Sequence, residues 1–154
     1  MSNSCDLSRF VSAHRADYER ALREINQGRK QSHWMWYIFP IMKGLGRSYT
    51  AQYYAINTKE EALAFLNDPY LGGHLKEISN ALLQLRTDNP TEVFGKPDDW
   101  KLKACMTLFS SVSDNCNDKV IFENVLEKYF GGKRDGRTIG VLRRENTLTE
   151  IVGL

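Results

Sequence analysis

The chain has 154 residues, of which 42% are hydrophobic, 11% aromatic and 26% charged, with a formal net charge of +2. This is globular composition at the length of one domain, and it excludes collagen, low-complexity disorder and a disulfide scaffold. The charge balance gives no global pull toward nucleic acid or an anionic membrane, and the longest apolar run, Trp34 to Ile41 with Pro40 inside it, is far too short to span a bilayer.

The segment from Met1 to Phe10 is polar and has no signal-peptide core. The three cysteines, Cys5, Cys105 and Cys116, are odd in number and lack the spacing of a zinc ribbon or a CxxC pair. Both features lead to the expectation of a cytoplasmic protein with free thiols. Cys105 lies among Ala104, Met106, Leu108 and Phe109 and reads as a small buried hydrophobe.

Phe10, Val11, His14, Tyr18, Ala21, Leu22 and Ile25 recur at steps of three and four, which predicts an amphipathic helix from Leu7 to Gln27, ended by Gly28. Trp36 to Phe39 is a candidate short strand. Ser48 is placed to cap a helix from Tyr49 to about Ile56. Thr58-Lys59-Glu60-Glu61 reads as a capping box. After Pro69, a second stripe runs through Leu71, Leu75, Ile78, Leu82 and Leu85 and stops near Asn89-Pro90. Asp98 or Asp99 is a candidate cap for a helix carrying Leu102, Cys105, Met106, Phe109 and Val112. Val120 to Phe130 predicts another helix, closed by Gly131-Gly132, and Thr138 a short last one. The expected fold is mainly α: a single compact domain over residues 1–154, with six or seven short helices and at most one or two short strands.

One segment departs from the average. Residues 25–59 contain no Asp or Glu, where about four would stand at the chain's mean frequency. They carry Arg29, Lys30, Lys43, Arg47 and Lys59, and seven aromatics: Trp34, Trp36, Tyr37, Phe39, Tyr49, Tyr53 and Tyr54. Cations beside flat apolar faces suit a planar anionic ligand such as a nucleotide. Equally, the aromatics can be core and the cations a solvated rim. Within the segment, Gly44-Leu45-Gly46-Arg47-Ser48 offers backbone N–H groups at a helix entry, although its spacing is not the dinucleotide fingerprint. Gly28 to Trp36 adds the Ser32 hydroxyl and the His33 imidazole, a group able to act as acid or base near neutral pH. Further along, Asp99 and Lys103 stand four apart and could pair on one helix face. Asp135 sits in a loop with Lys133, Arg134 and Arg137. His14 reads as structural and His74 as uninformative. The histidines show no HExxH or i, i+4 pairing, so no metal site and no cofactor is expected.

The run Ser32-His33-Trp34-Met35-Trp36, then Ile38-Phe39-Pro40 and Gly44-Leu45-Gly46-Arg47-Ser48, resembles the bacterial family catalogued as domain of unknown function 1810. Tyr54 and Ile56, Pro69 with Leu71-Gly72, Phe94-Gly95, Asp99 with Lys101-Leu102-Lys103, Cys105 to Phe109, and Asp135 with Thr138 agree with it. The likeness covers about residues 7–142. Ile41-Met42 departs from it, where the family pattern leads one to expect a polar residue after the proline. The resemblance implies a small, mostly helical domain with no established activity. Members often carry the label calpastatin, but calpastatin inhibitory segments are disordered and this chain has the periodicity of a packed fold. The order of elements also resembles the ADP-ribose-associated N-glycosidases (the NADAR, YbiA-like proteins), with Ser48 to Tyr54, Trp100 to Phe109 and Phe122 to Asp135 in the corresponding places. The acidic residue on that family's first site helix is missing here, where Thr50 and Ala51 stand.

These features lead to the expectation of an enzyme acting on a phosphorylated or nucleotide-like small molecule, with N-glycosidic cleavage of ADP-ribose type as its most concrete form. Arg29, Lys30, Arg47 and Ser48 would hold phosphate, with Ser32 beside them. Trp34, Trp36 and Tyr53 or Tyr54 would stack on the planar part. Asp99 or Asp135 would stabilise a cationic sugar or activate water, and His33 or Lys103 would move a proton. A non-catalytic small-ligand module and a protein- or RNA-interaction module stay open as alternatives. No membrane partner is expected, and the charge balance argues against a nucleic-acid partner.

Overall fold

A computed structural model describes residues 5–152, with side chains described over residues 5–145. Met1 to Ser4, the start of the polar N-terminal segment, lie outside the described residues. Nine helices are formed among those described: α1 (Ser8–Asn26), α2 (Met35–Ile38), α3 (Tyr49–Tyr53), α4 (Lys59–Asn67), α5 (Pro69–Leu83), α6 (Pro90–Phe94), α7 (Asp98–Val112), α8 (Cys116–Phe130) and α9 (Gly136–Val152). Six of them are nine residues or longer. The fold is an all-α single domain, as the apolar periodicity predicts.

Local chemistry explains most helix starts. Ser48 Oγ accepts the Ala51 N–H at 3.1 Å. Asp68 accepts the N–H groups of Tyr70 and Leu71, both at 2.9 Å, with Pro69 at the first helical position. Thr58 Oγ1 accepts the Glu61 N–H at 3.0 Å, but the Glu61 carboxylate reaches one residue further back than a capping box requires, to the Asn57 N–H at 2.8 Å. Asp98 and Asp99 do not cap α7. Both lie inside its first turn, and Pro97 precedes it without a side-chain cap bond.

Two other expectations are corrected. Trp36 to Phe39 forms no strand; Met35–Ile38 is the single helical turn α2, closed by the Ile38 N–H donating to the Trp34 carbonyl at 3.2 Å and the Phe39 N–H to the Met35 carbonyl at 3.1 Å. The helix starting at Tyr49 ends at Tyr53 because Ile56 is drawn into a parallel bridge with Met42, where the Ile56 N–H donates to Ile41 O and the Lys43 N–H to Ile56 O, both at 2.9 Å.

The core is threaded by phenylalanines. Phe10 of α1 meets Phe65 of α4 edge-on with centroids 5.1 Å apart; Phe65 meets Phe109 of α7 at 5.5 Å, and Phe109 meets Phe122 of α8 at 6.0 Å. All four are fully buried, each stabilising by about 1.5–3 kcal/mol relative to exposure. Packing of α7 on α8, of α5 on α1, α4 and α8, and of α9 on α7 completes the body. No helix among the described residues is long and apolar enough to cross a membrane.

Where α1 crosses α5, His14 and His74 form a pair with their Nδ1 atoms 2.9 Å apart and their rings coplanar within 3°. His14 Nε2 lies 2.8 Å from the Tyr37 carbonyl, which can only accept. Neutral His14 therefore carries its proton on Nε2, and His74 donates from Nδ1. The Tyr18 ring stacks on His74 at 3.6 Å and its hydroxyl donates to Glu77 at 2.6 Å. Burial lowers the His14 pKa to about 4, against the opposing pull of the Tyr37 carbonyl, and burial also lowers that of His74. The unfolded chain therefore takes up a proton at His14 before the folded chain does. The stability tied to neutral His14 is complete above its ordinary value of 6.5 and is lost as pH falls toward about 4. An NMR titration should place the midpoint of the His14 ring signals near 4, with the urea midpoint falling across the same interval. A midpoint near 6.5 would contradict the pairing.

Candidate functional site

The acid-free segment is organised by a carboxylate just outside it. Glu24, on the last turns of α1, is 6% exposed and accepts four hydrogen bonds: from the N–H groups of Gln31 (2.7 Å) and Ser32 (2.9 Å), the Ser32 hydroxyl (2.6 Å) and Trp34 Nε1 (2.9 Å). Burial alone would raise its pKa, but the donors from Ser32, Gln31 and Trp34 outweigh it and hold the carboxyl at about 2. Trp34 is fully buried, and it meets Phe39 and Phe94 at 6.2 and 6.5 Å. Lys30 lies over its ring at 5.1 Å and pairs with Asp98 at 2.9 Å.

The expected indole-walled recess is therefore not formed. Trp34 and Ser32 are committed to Glu24, and Lys30 to Asp98. Trp36 borders a space of only about 10 Å³ beside Phe39, Tyr54 and Lys101, room for about one water. Tyr54 is half-buried against Tyr37, with centroids 4.9 Å apart. Tyr53 and Tyr49 are 49% and 82% exposed. Arg29, His33 and Arg47 are exposed, and Ser48 serves as the cap of α3.

The four residues expected to do chemistry stand in separate surroundings. His33 points from the loop before α2. Asp99 accepts the Thr91 hydroxyl at 2.6 Å and its own helix's Trp100 N–H at 2.9 Å. Lys103 does not pair with Asp99; its ammonium lies 5.9 Å from the Phe130 ring centroid. Asp135 caps α9, its Oδ2 accepting the Thr138 N–H (2.9 Å) and hydroxyl (2.6 Å), while its own N–H donates to Thr107 at 2.9 Å. No hydrogen bond or ion pair among the described residues joins any two of these four.

A cleft of about 1090 Å³ opens elsewhere. One wall is the loop Lys43-Gly44-Leu45-Gly46 with Gln52, Ala55, Asn57 and Thr58. The other is α9, through Gly136, Arg137, Gly140, Val141, Arg144 and Glu145. Gly44 has φ +91°, a conformation that favours glycine, and a Cβ on Gly46 would sit 2.6 Å from the Ala51 Cβ. The loop thus folds back tightly on α3. The N–H groups of Gly44, Leu45, Gly46 and Arg47 donate to no protein acceptor among the described residues. Lys43, Arg137 and Arg144 take part in none of the ion pairs that engage Arg9, Arg20, Lys30, Lys76, Lys101 and Arg134. The Arg137 guanidinium is steadied over the Trp100 ring at 4.5 Å. Glu145 accepts the Lys59 N–H at 2.7 Å. Among the described residues no group of three His, Cys, Asp or Glu side chains could hold a metal ion. Cys5, Cys105 and Cys116 are free thiols, and burial pushes the Cys105 pKa well up.

The family model for a protein of unknown function (DUF1810) matches residues 4–142. The chain belongs to the DUF1810 family. It is similar to the conserved hypothetical protein Rv1873 from Mycobacterium tuberculosis, whose crystal structure superposes with a TM-score of 0.85 at 40% identity, over 90% of this chain and 96% of that one. No curated protein matches the sequence.

The sequence singles out the glycine loop of this DUF1810 protein but not its opposite wall. The available signal was the spacing of Arg137, Val141 and Arg144 with Gly136 and Gly140, which puts two cations and two bare positions on one helical face. The Glu24 clamp generates a direct test. In Glu24→Ala, the Gln31, Ser32 and Trp34 N–H groups that converge on Glu24 Oε1 would all lose their acceptor. The expected loss of stability is about 2–4 kcal/mol in urea unfolding, and a loss below about 0.5 kcal/mol would show that the clamp does not hold the segment.

Proposed function

We propose that this DUF1810 protein binds a small phosphorylated, nucleotide-like molecule in the cleft between the glycine loop and α9. The observation that carries the reading is the pairing, across one cleft, of undonated loop N–H groups with Lys43, Arg137 and Arg144. Backbone N–H groups and guanidinium forks together are a general recognition chemistry for phosphate. The volume is large enough for a nucleotide. Arg47 and Ser48 follow the loop directly in the chain but, like Arg29, Lys30, Trp34 and Trp36, are not among the cleft's lining residues.

Binding has more support here than turnover. His33, Asp99, Lys103 and Asp135 are not among the lining residues, and the one carboxylate that is, Glu145, already accepts a backbone N–H. N-glycosidic cleavage rests on the likeness of element order to the NADAR proteins, which makes ADP-ribose the first compound to try. An RNA-binding role would require affinity that falls steeply with salt.

Isothermal titration with ADP-ribose, NAD and mononucleotides tests the reading. Heat is expected with at least one of them at millimolar ligand, and Arg144→Gln should weaken that binding about tenfold, equivalent to about 1.4 kcal/mol, without lowering Tm. Absence of both heat and thermal shift would remove the proposal, and product formation from ADP-ribose would convert it into an enzymatic one.

A further inference from the structure

Glycine inside a helix is destabilising relative to alanine, because it gives up more backbone freedom on folding. Packing explains it at Gly72, where a Cβ would lie 1.8 Å from the Leu66 carbonyl oxygen. No such reason exists at Gly140 in α9. Among the described residues, a Cβ there would have only Arg144 Nη1 near it, at 3.6 Å, an ordinary contact. The fold does not require Gly140, yet it lies on the cleft wall.

The surroundings of Gly140 suggest its use. The Arg144 guanidinium folds back along the helix toward it. Arg137 stands three residues before it on the same wall, with its guanidinium carbon 4.5 Å from the Trp100 ring centroid. A cation–π contact uses up no hydrogen bond, so the N–H groups of Arg137 stay available for an oxygen ligand. Lys43 projects from the opposite wall.

We propose that the bare backbone at Gly140 is the seat of the ligand's phosphoryl group. Without a Cβ the phosphate can settle against the helix surface, where Arg144 and Arg137 hold it from one side and Lys43 from the other. Gly140 is thus the position that decides whether a phosphate-bearing molecule fits, and it does so at the expense of helix stability. This assignment rests on the cleft reading above and specifies where within the cleft the anion lies.

The test uses Gly140→Ala with Gly73→Ala as its control. Gly73 is an exposed glycine of α5, and a Cβ added there would meet nothing within 4 Å. Both variants should fold, and both should raise Tm by about 2–4 °C, the shift expected of a helical Gly→Ala change at this chain length. Titration with AMP and ADP-ribose should show Gly140→Ala binding about tenfold weaker than the parent and Gly73→Ala unchanged. In the parent, the Gly140 amide and the Arg144 Nε–H signals should shift on adding either probe. Equal affinity of Gly140→Ala and the parent would overturn the seat while leaving the cleft as a binding site. A parent that binds neither probe would overturn the seat and the cleft reading together.

Discussion

A single buried carboxylate gives the central segment its shape. Glu24 carries a charge with no cation paired to it among the described residues, and four N–H and O–H donors from residues 31–34 replace the water it has lost. An ionised group at that depth is tolerated only when so many of its acceptor positions are filled. The consequence is that the chain leaving α1 has to turn back, present Ser32 and Trp34 to Glu24, and enter α2 with Trp34 already in the core. Lys30 then falls where Asp98 can meet it, which ties this turn to the start of α7. Glu61 plays a similar part at the other end of the segment, accepting the Asn57 N–H and two guanidinium nitrogens of Arg9. The absence of acids between residues 25 and 59 is thus partly structural. The backbone of that segment donates to carboxylates that belong to neighbouring helices.

The cations of the segment have different fates. Lys30 is consumed by the fold. Lys43 remains at the cleft because the short parallel bridge of Met42 with Ile56 holds its backbone at the cleft wall. The glycine loop follows at once, its tight return over Ala51 made possible by Gly46. Across from it, α9 is started by the Asp135 cap and anchored through Thr107 and Thr138, both fully buried. Asp135 matters to the cleft as a positioning group for the helix that bears Arg137 and Arg144.

Much of the architecture is legible from the chain because its causes are local. The stripe from Phe10 to Ile25, the Ser48 cap and the glycine stop at Gly131 each depend on residues a few positions apart. Trp36 to Phe39 misleads because four apolar residues have no period of their own, and the backbone bonds from Ile38 to Trp34 and from Phe39 to Met35 settle them as a helical turn. The candidate site is half legible. The glycine loop announces itself in composition, but its partner wall lies about ninety residues away in the chain, and no local pattern joins the two. Nor can spacing reveal that Trp34 points inward, since that is decided by Glu24 on another helix. The histidine pair escapes for the same reason, being built from residues 60 apart.

The attachment of α9 has a thermodynamic corollary. This helix packs chiefly on α7 and is pinned at its start by the Asp135 cap, while its other long side borders the cleft. Whatever bridges that gap adds its own free energy to the modest total holding the helix against the body. Occupancy and helix attachment are then linked quantities, so that backbone amides of α9 would exchange with solvent more slowly as the cleft fills.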